Sequence, residues 1–173
     1  MKKVKLYITV SKDGYIAPPD GDMEWLINTP RPSTADYRDF FDSVDTVIMG
    51  GNTYREMCCM DILWPYKDKK ACVVTRHPIM MKEGVNFITE NAFETISQLK
   101  KENGKDIWLV GGAELTSLLL DNDLIDEMII TYIPVTLEKG ISLFSNTPEE
   151  MGWVLKEDIT YDNNAIKKTY QKA

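Results

Sequence analysis

Twice in this chain a short apolar run ends in paired glycines and passes straight into a helix-like segment. The two stretches are Val47-Ile48-Met49-Gly50-Gly51-Asn52-Thr53 and Trp108-Leu109-Val110-Gly111-Gly112-Ala113-Glu114. A helix N-terminus leaves several N–H groups unpaired and carries partial positive charge. Glycine there lets an anion approach the backbone closely. In a parallel sheet such turns lie at the carboxyl ends of strands, where open α/β folds bind ligands. One such turn is no more than a tight strand-to-helix connection; two together are suited to the two halves of a dinucleotide. The chain has no GxGxxG, no GxxxxGK[ST] and no HxE with PCxxC, so the standard dinucleotide fingerprint, the P-loop and the zinc deaminases are set aside.

The remaining pattern agrees with an α/β chain. Strands are predicted over residues 4–10, 46–49, 71–75, 85–88, 107–110 and 125–133, the last stopped by Pro134. Tyr37, Phe40, Phe41 and Val44 recur at helical spacing, with Ser33 or Thr34 as the cap. Asn91 followed by Glu94 reads as a capping box, with Phe93, Ile96 and Leu99 as the buried face and Gly104 as the stop. Leu115, Leu118 and Leu119 continue the second glycine turn as a helix. Near the end, Trp153, Leu155, Ile159 and Tyr161 alternate, Asp162-Asn163-Asn164 turns, and Ile166, Lys168 and Tyr170 alternate again. That is an antiparallel hairpin appended to a mixed sheet.

Composition narrows the function classes. A length of 173 residues fits one domain, residues 1–173, with a sizeable core. The formal net charge of −7 disfavours nucleic acid or an anionic membrane surface as the main partner. Cys58, Cys59 and Cys72 are odd in number and two are adjacent, which fits a reducing cytoplasm rather than a disulfide framework. His77 is the one histidine. It is followed by Pro78, and no HExxH motif or paired CxxC is present, so zinc hydrolases and Ser-His-Asp enzymes are set aside. The apolar run after Met1-Lys2-Lys3 is too short for a signal core, and no run approaches the roughly 20 residues of a membrane helix.

These residues resemble the dihydrofolate reductase superfamily, and within it the stand-alone relatives of the reductase domain of the riboflavin-biosynthesis deaminase–reductase. The resemblance rests on Ser11-Lys12-Asp13-Gly14-Tyr15-Ile16-Ala17, Met49-Gly50-Gly51-Asn52-Thr53-Tyr54, Val74-Thr75-Arg76 and Val110-Gly111-Gly112-Ala113-Glu114-Leu115. It continues through Ile125-Asp126-Glu127, Thr131, Pro134, Gly140-Ile141 and Leu143-Phe144. It implies a three-layer fold with a mixed, mostly parallel sheet of about eight strands flanked by helices. It also implies a homodimer and an NADPH site across the two glycine turns. By that resemblance Ile16 and Ala17 meet the nicotinamide amide, Thr53 holds the pyrophosphate at its helix start, and Gly50, Gly51 and Asn52 of the same turn also bind the cofactor. Thr75 and Arg76 grip the 2′-phosphate and ribose, and Val110, Gly111, Gly112, Ala113, Glu114 and Leu115 close the other side. The Gly111-Gly112 peptide is expected to be cis.

Asp22-Met23-Glu24-Trp25 matches the acid that dihydrofolate reductases place three residues before a Trp, beneath the substrate. Asp22 and Thr131 are then the catalytic pair, with Trp25 and Tyr15 on the substrate. The other reading of Asp22 is a plain helix N-cap. Tyr7 and Tyr132 are further ring-pocket candidates, although Tyr7 also suits the core.

Two departures bear on function. Gly51 replaces an Arg that helps clamp the 2′-phosphate, which weakens the case for NADPH over NADH. Tyr15 and Val110 stand where riboflavin-pathway reductases carry Lys and Glu. The leading expectation is therefore an NADPH-dependent reductase of a pteridine-like or pyrimidine-like heterocycle, a small-molecule enzyme. The alternatives are the 5-amino-6-(5-phosphoribosylamino)uracil reductase of riboflavin synthesis and a nucleotide-binding protein without chemistry, for which Thr116 in place of a common Tyr also speaks.

Overall fold

The computed structural model describes residues 1–27, 29 and 33–173. In chain order the strands are β1 (Val4–Ser11), β2 (Tyr15–Ala17), β3 (Val44–Gly50), β4 (Lys70–Val74), β5 (Val85–Ile88), β6 (Asp106–Gly111), β7 (Glu127–Ile133), β8 (Ile141–Ser142), β9 (Trp153–Thr160) and β10 (Ile166–Lys172). The helices are α1 (Glu24–Ile27), α2 (Thr34–Asp42), α3 (Gly51–Cys59), α4 (Ala92–Lys101) and α5 (Ala113–Asp121). Eight strands form one sheet in the order β5-β4-β3-β6-β1-β7-β10-β9, and β2 pairs with β8 beside it. The first six strands of that order run parallel, while β10 joins β7 and β9 antiparallel. The mixed sheet with a terminal hairpin is thus as the residue pattern predicts.

Helices cover both faces, so the central strands are apolar almost continuously. One face packs Leu6, Ile48, Leu109 and Ile130 against Ile96 and Leu99 of α4 and Leu115 and Leu119 of α5. The other packs Val47, Met49, Val73 and Trp108 against Phe40 of α2 and Tyr54 of α3. This is the three-layer arrangement. Neighbouring strands β3 and β6 send their helices to opposite faces, α3 to one and α5 to the other. The chain therefore departs in two directions between them, which opens a crevice at the carboxyl ends of the strands.

Several local readings need correction. Ser33 does cap α2, its Oγ accepting from the Asp36 amide at 3.1 Å. Asn91 does not cap α4 through its side chain; it takes a left-handed φ of 52° and turns the chain instead. Phe93 is 42% exposed, so the buried face of α4 is Ile96 and Leu99 without it. That helix ends at Lys101, before Gly104. The last parallel strand starts at Glu127 because Asp126 is used as a link, accepting from the Val4 amide at 2.8 Å. The hairpin register shifts at Thr169/Tyr170, opposite Lys156. A bulge of this kind breaks period-2 alternation beyond Leu155; before it, Trp153 is buried while Leu155 is exposed.

Candidate functional site

A cleft of about 1810 Å³ occupies that crevice. Drug-sized ligands fill roughly 300–1,000 Å³, so this cleft can seat a dinucleotide and a second molecule. The two glycine turns form its middle. A Cβ placed on Gly50 would stand 3.7 Å from the Gly112 amide nitrogen, and one on Gly112 would stand 3.3 Å from Thr53 Oγ1. The turns therefore face each other across little more than one atom layer, with the Thr53 hydroxyl between them. The Gly111-Gly112 peptide is cis, as the resemblance implies.

The electrostatics of this middle section favour an anion. The N-caps of α3 and α5 are Gly50 and Gly112, and no side chain bonds to the first amides of either helix. Two helix N-termini with unspent donors converge on one spot. Those residues fit the pyrophosphate of a nicotinamide dinucleotide, since phosphate oxygens would satisfy the open N–H groups.

Beyond the α3 side lie Asn52, Arg55, Thr75, Arg76 and His77. Thr75 Oγ1 accepts from the His77 amide at 3.2 Å, which bends the chain after β4. Tyr54, 2% exposed, fixes the neighbouring loop, its hydroxyl accepting from the Met81 and Lys82 amides at 3.0 Å each.

The other end of the cleft is aromatic and hydroxyl-bearing. Tyr7, Thr9, Tyr37, Trp108 and Thr131 line it. Tyr7 stacks on Phe40 with ring centroids 4.2 Å apart, and Trp108 meets both rings edge-on. Trp108 Nε1 donates to the Tyr7 carbonyl at 2.9 Å, which pins the floor. Burial pushes the Tyr7 phenol up to about 12, with Lys167 opposing, so the phenol is neutral across the physiological range. Behind this floor, Thr9, Thr131 and Lys167 stand in register across β1, β7 and β10. Asp36 accepts from the Tyr161 hydroxyl and from Lys167, the latter at 3.4 Å. The Tyr161 hydrogen bond, aided by Lys167, holds the Asp36 carboxyl below the usual carboxylate range although burial opposes it.

Fifteen residues proposed from the sequence meet on this one cleft. They are Ile16, Ala17, Gly50 to Thr53, Thr75, Arg76, Val110 to Leu115, and Thr131. Asp22, Trp25, Tyr15 and Tyr132 do not line it. Asp22 is exposed, and its Oδ1 accepts from the Glu24 amide at 3.0 Å. The preceding loop is short and self-closed, with the Gly21 amide on the Pro18 carbonyl and the Asp22 amide on Asp20. That closure leaves the exposed Asp22 carboxylate off the cleft lining, where it closes an Asx turn onto the first residue of α1. Trp25 is half-buried, and its Nε1 has no partner among the described residues. Tyr15 is held by its amide on Ser11 Oγ at 2.9 Å, away from the cleft. Tyr132 faces the α4/α5 side of the sheet. Arg55, Tyr37 and Trp108 were missed. Arg55 carried one signal, its place four residues after Gly51 on the same helix face; the rings read simply as core.

Residues 2–166 match the model of the RibD C-terminal domain. The chain belongs to that family. It is 43% identical over 156 residues to the uncharacterized protein YwjB of Bacillus subtilis (strain 168), covering 90% of each chain. A Shewanella sp. PV-4 protein named for riboflavin biosynthesis has the same fold with a TM-score of 0.83, at 26% identity over 99% of both chains. Dihydrofolate reductase from Enterococcus faecalis, solved with NADP(H), shares the fold at a TM-score of 0.66. It is 17% identical, with 98% of this chain and 95% of that one covered. The family is of a reductase type, and this chain's cleft lies at the strand ends. No helix among the described residues is long and apolar enough to cross a membrane.

Proposed function

We propose that the protein is an NADPH-dependent reductase that delivers hydride to an imine-type carbon of a pteridine-like or pyrimidine-like heterocycle. One observation carries this reading: two uncapped helix N-termini converge on the glycine turns, and the same cleft runs on into a ring-lined pocket. Bound there, the nicotinamide supplies the hydride. The chain's own residues do the rest. The open amides of α3 and α5, with Thr53, hold the pyrophosphate. Ile16 and Ala17 would meet the nicotinamide amide, on the same cleft that Thr131 lines. Tyr7, Tyr37 and Trp108 give a flat, partly dry pocket in which a planar substrate stacks. Hydride adds to the carbon of a C=N bond, and the nitrogen takes a proton. With Asp22 outside the cleft, that proton comes from water or from a cleft hydroxyl.

The uracil-derivative reductase of riboflavin synthesis is the second reading, favoured by the family match. Tyr15 and Val110 speak against it, since they replace the charges that the resemblance assigns to that substrate. A titration of NADPH followed by a substrate scan tests both. Loss of the reduced-nicotinamide absorbance with dihydropteridines supports the first reading. Loss only with the phosphoribosylamino-uracil supports the second. Tight NADPH binding with no turnover on any heterocycle would favour a nucleotide-binding protein instead.

A further inference from the structure

We propose that Arg55 supplies the phosphate clamp that Gly51 lacks, so that the chain selects a dinucleotide bearing a phosphomonoester on its adenosine ribose. The inference rests on the nicotinamide-dinucleotide reading above and goes beyond it, to a residue that the sequence comparison did not assign.

Position 51 cannot carry a side chain here. A Cβ on Gly51 would stand 2.7 Å from Thr75 Oγ1 and 2.9 Å from Thr75 Cβ. No real contact is that short, so an Arg at 51 would require β4 and α3 to separate. The space is used from the next turn. Long side chains on a helix lean back toward its N-terminus, over the residue four positions earlier. The Arg55 guanidinium does this: its Nη1 would lie only 3.1 Å from that Cβ. Its Nη2 donates to Asn52 Oδ1, which fixes the fork over the first turn of α3.

That placement is electrostatically awkward without an anion. The N-terminal end of a helix is already partly positive, and α3 has no acidic residue in its first turn. Among the described residues no carboxylate pairs with Arg55 or with the adjacent Arg76. The Arg55 guanidinium, which has no carboxylate partner, the Thr75 hydroxyl and a helix end therefore bound one patch of the cleft, and Arg76, the residue after Thr75, lines the same cleft. A phosphomonoester dianion satisfies all of them, because guanidinium forks match phosphate oxygens two at a time. The glycine at 51 thus relocates the clamp by one helical turn.

Calorimetric titration of NADPH and NADH tests this on the wild type, Arg55→Ala, Arg55→Lys and Arg76→Ala, with thermal melts to confirm that each variant folds. The wild type should prefer NADPH. Arg55→Ala should weaken NADPH by about 10-fold or more, the scale of a lost charge-assisted bond, while NADH stays within about 2-fold. Arg55→Lys should recover part of the loss. Equal wild-type affinities for the two nucleotides would overturn the clamp and leave the reductase reading standing. So would an Arg55→Ala variant that keeps its preference while Arg76→Ala alone abolishes it. A wild type that binds neither nucleotide would overturn both.

Discussion

Gly140 lies directly against the Ala17 carbonyl: a Cβ at position 140 would stand 2.1 Å from that oxygen and 3.1 Å from its carbon. The contact seats β8 on β2, where Ala17 pairs with Ile141. Since Ala17 borders the cleft, the same contact sets the wall at the proposed nicotinamide end. Gly140→Ala must push two backbone segments apart, at a cost of about 1–3 kcal/mol for overpacking. The expected result is a lower melting temperature together with weaker NADPH binding. A variant with unchanged melting and unchanged affinity would show that β8 yields freely.

Asp126 ties three pieces of chain together. Its carboxylate accepts from the Val4 amide at 2.8 Å and pairs with Lys100 at 2.7 Å, and Lys100 also reaches the Leu124 carbonyl. The Lys100 side chain is only 10% exposed. Asp126→Ala strands that ammonium in a mostly apolar setting, and losing one partner of a buried pair is expensive. Urea denaturation should show a loss of about 2–4 kcal/mol with little change in slope. Lys100→Met in the Asp126→Ala background should recover part of it, since the orphaned charge is then gone.

Asp22→Asn should leave turnover within about 2-fold of the wild type, because removing a true general acid costs roughly 100-fold or more. Asp22 is exposed, and its carboxylate closes an Asx turn through the Glu24 amide. Asn caps as well as Asp, so melting should also hold. Single-turnover hydride transfer, followed with saturating NADPH and an accepted substrate, makes the measurement. A slowing of 100-fold would return the acid role to Asp22.

Stability should fall in alkali, in part through Tyr7. Burial raises its phenol to about 12 in the fold, against about 10 in an unfolded chain. Between these values the unfolded chain has lost its proton and the folded chain has kept it. The contribution is therefore complete below about pH 10 and is lost as pH rises toward 12. It amounts to at most about 2 kcal/mol once partial solvent access is allowed for. Comparing urea midpoints at pH 8 and pH 11, Tyr7→Phe should flatten the difference. An equally steep fall in the variant would assign the effect to Tyr161 and Tyr170, whose phenols are also raised by burial.

Strand order along the chain, the paired-glycine turns, the Ser33 cap and the terminal hairpin were legible in the residues, because each depends on neighbours a few positions away. So was the pair of glycine turns at the middle of the cleft, since a strand followed by glycine and a helix start places its own amides. Side chains gathered from distant segments were not legible. Asp22 has the right spacing to Trp25, yet spacing says nothing about which way a self-closed loop turns its carboxylate. Tyr7, Tyr37 and Trp108 alternate or recur like core residues, and only the packing of α2 over β1 and β6 makes them a pocket. Gly51 reads as the loss of a charge, and the local sequence cannot show that Thr75 fills the space a side chain would need. That contact joins two strands' ends 24 positions apart, and with it the position of Arg55 was decided by the tertiary fold.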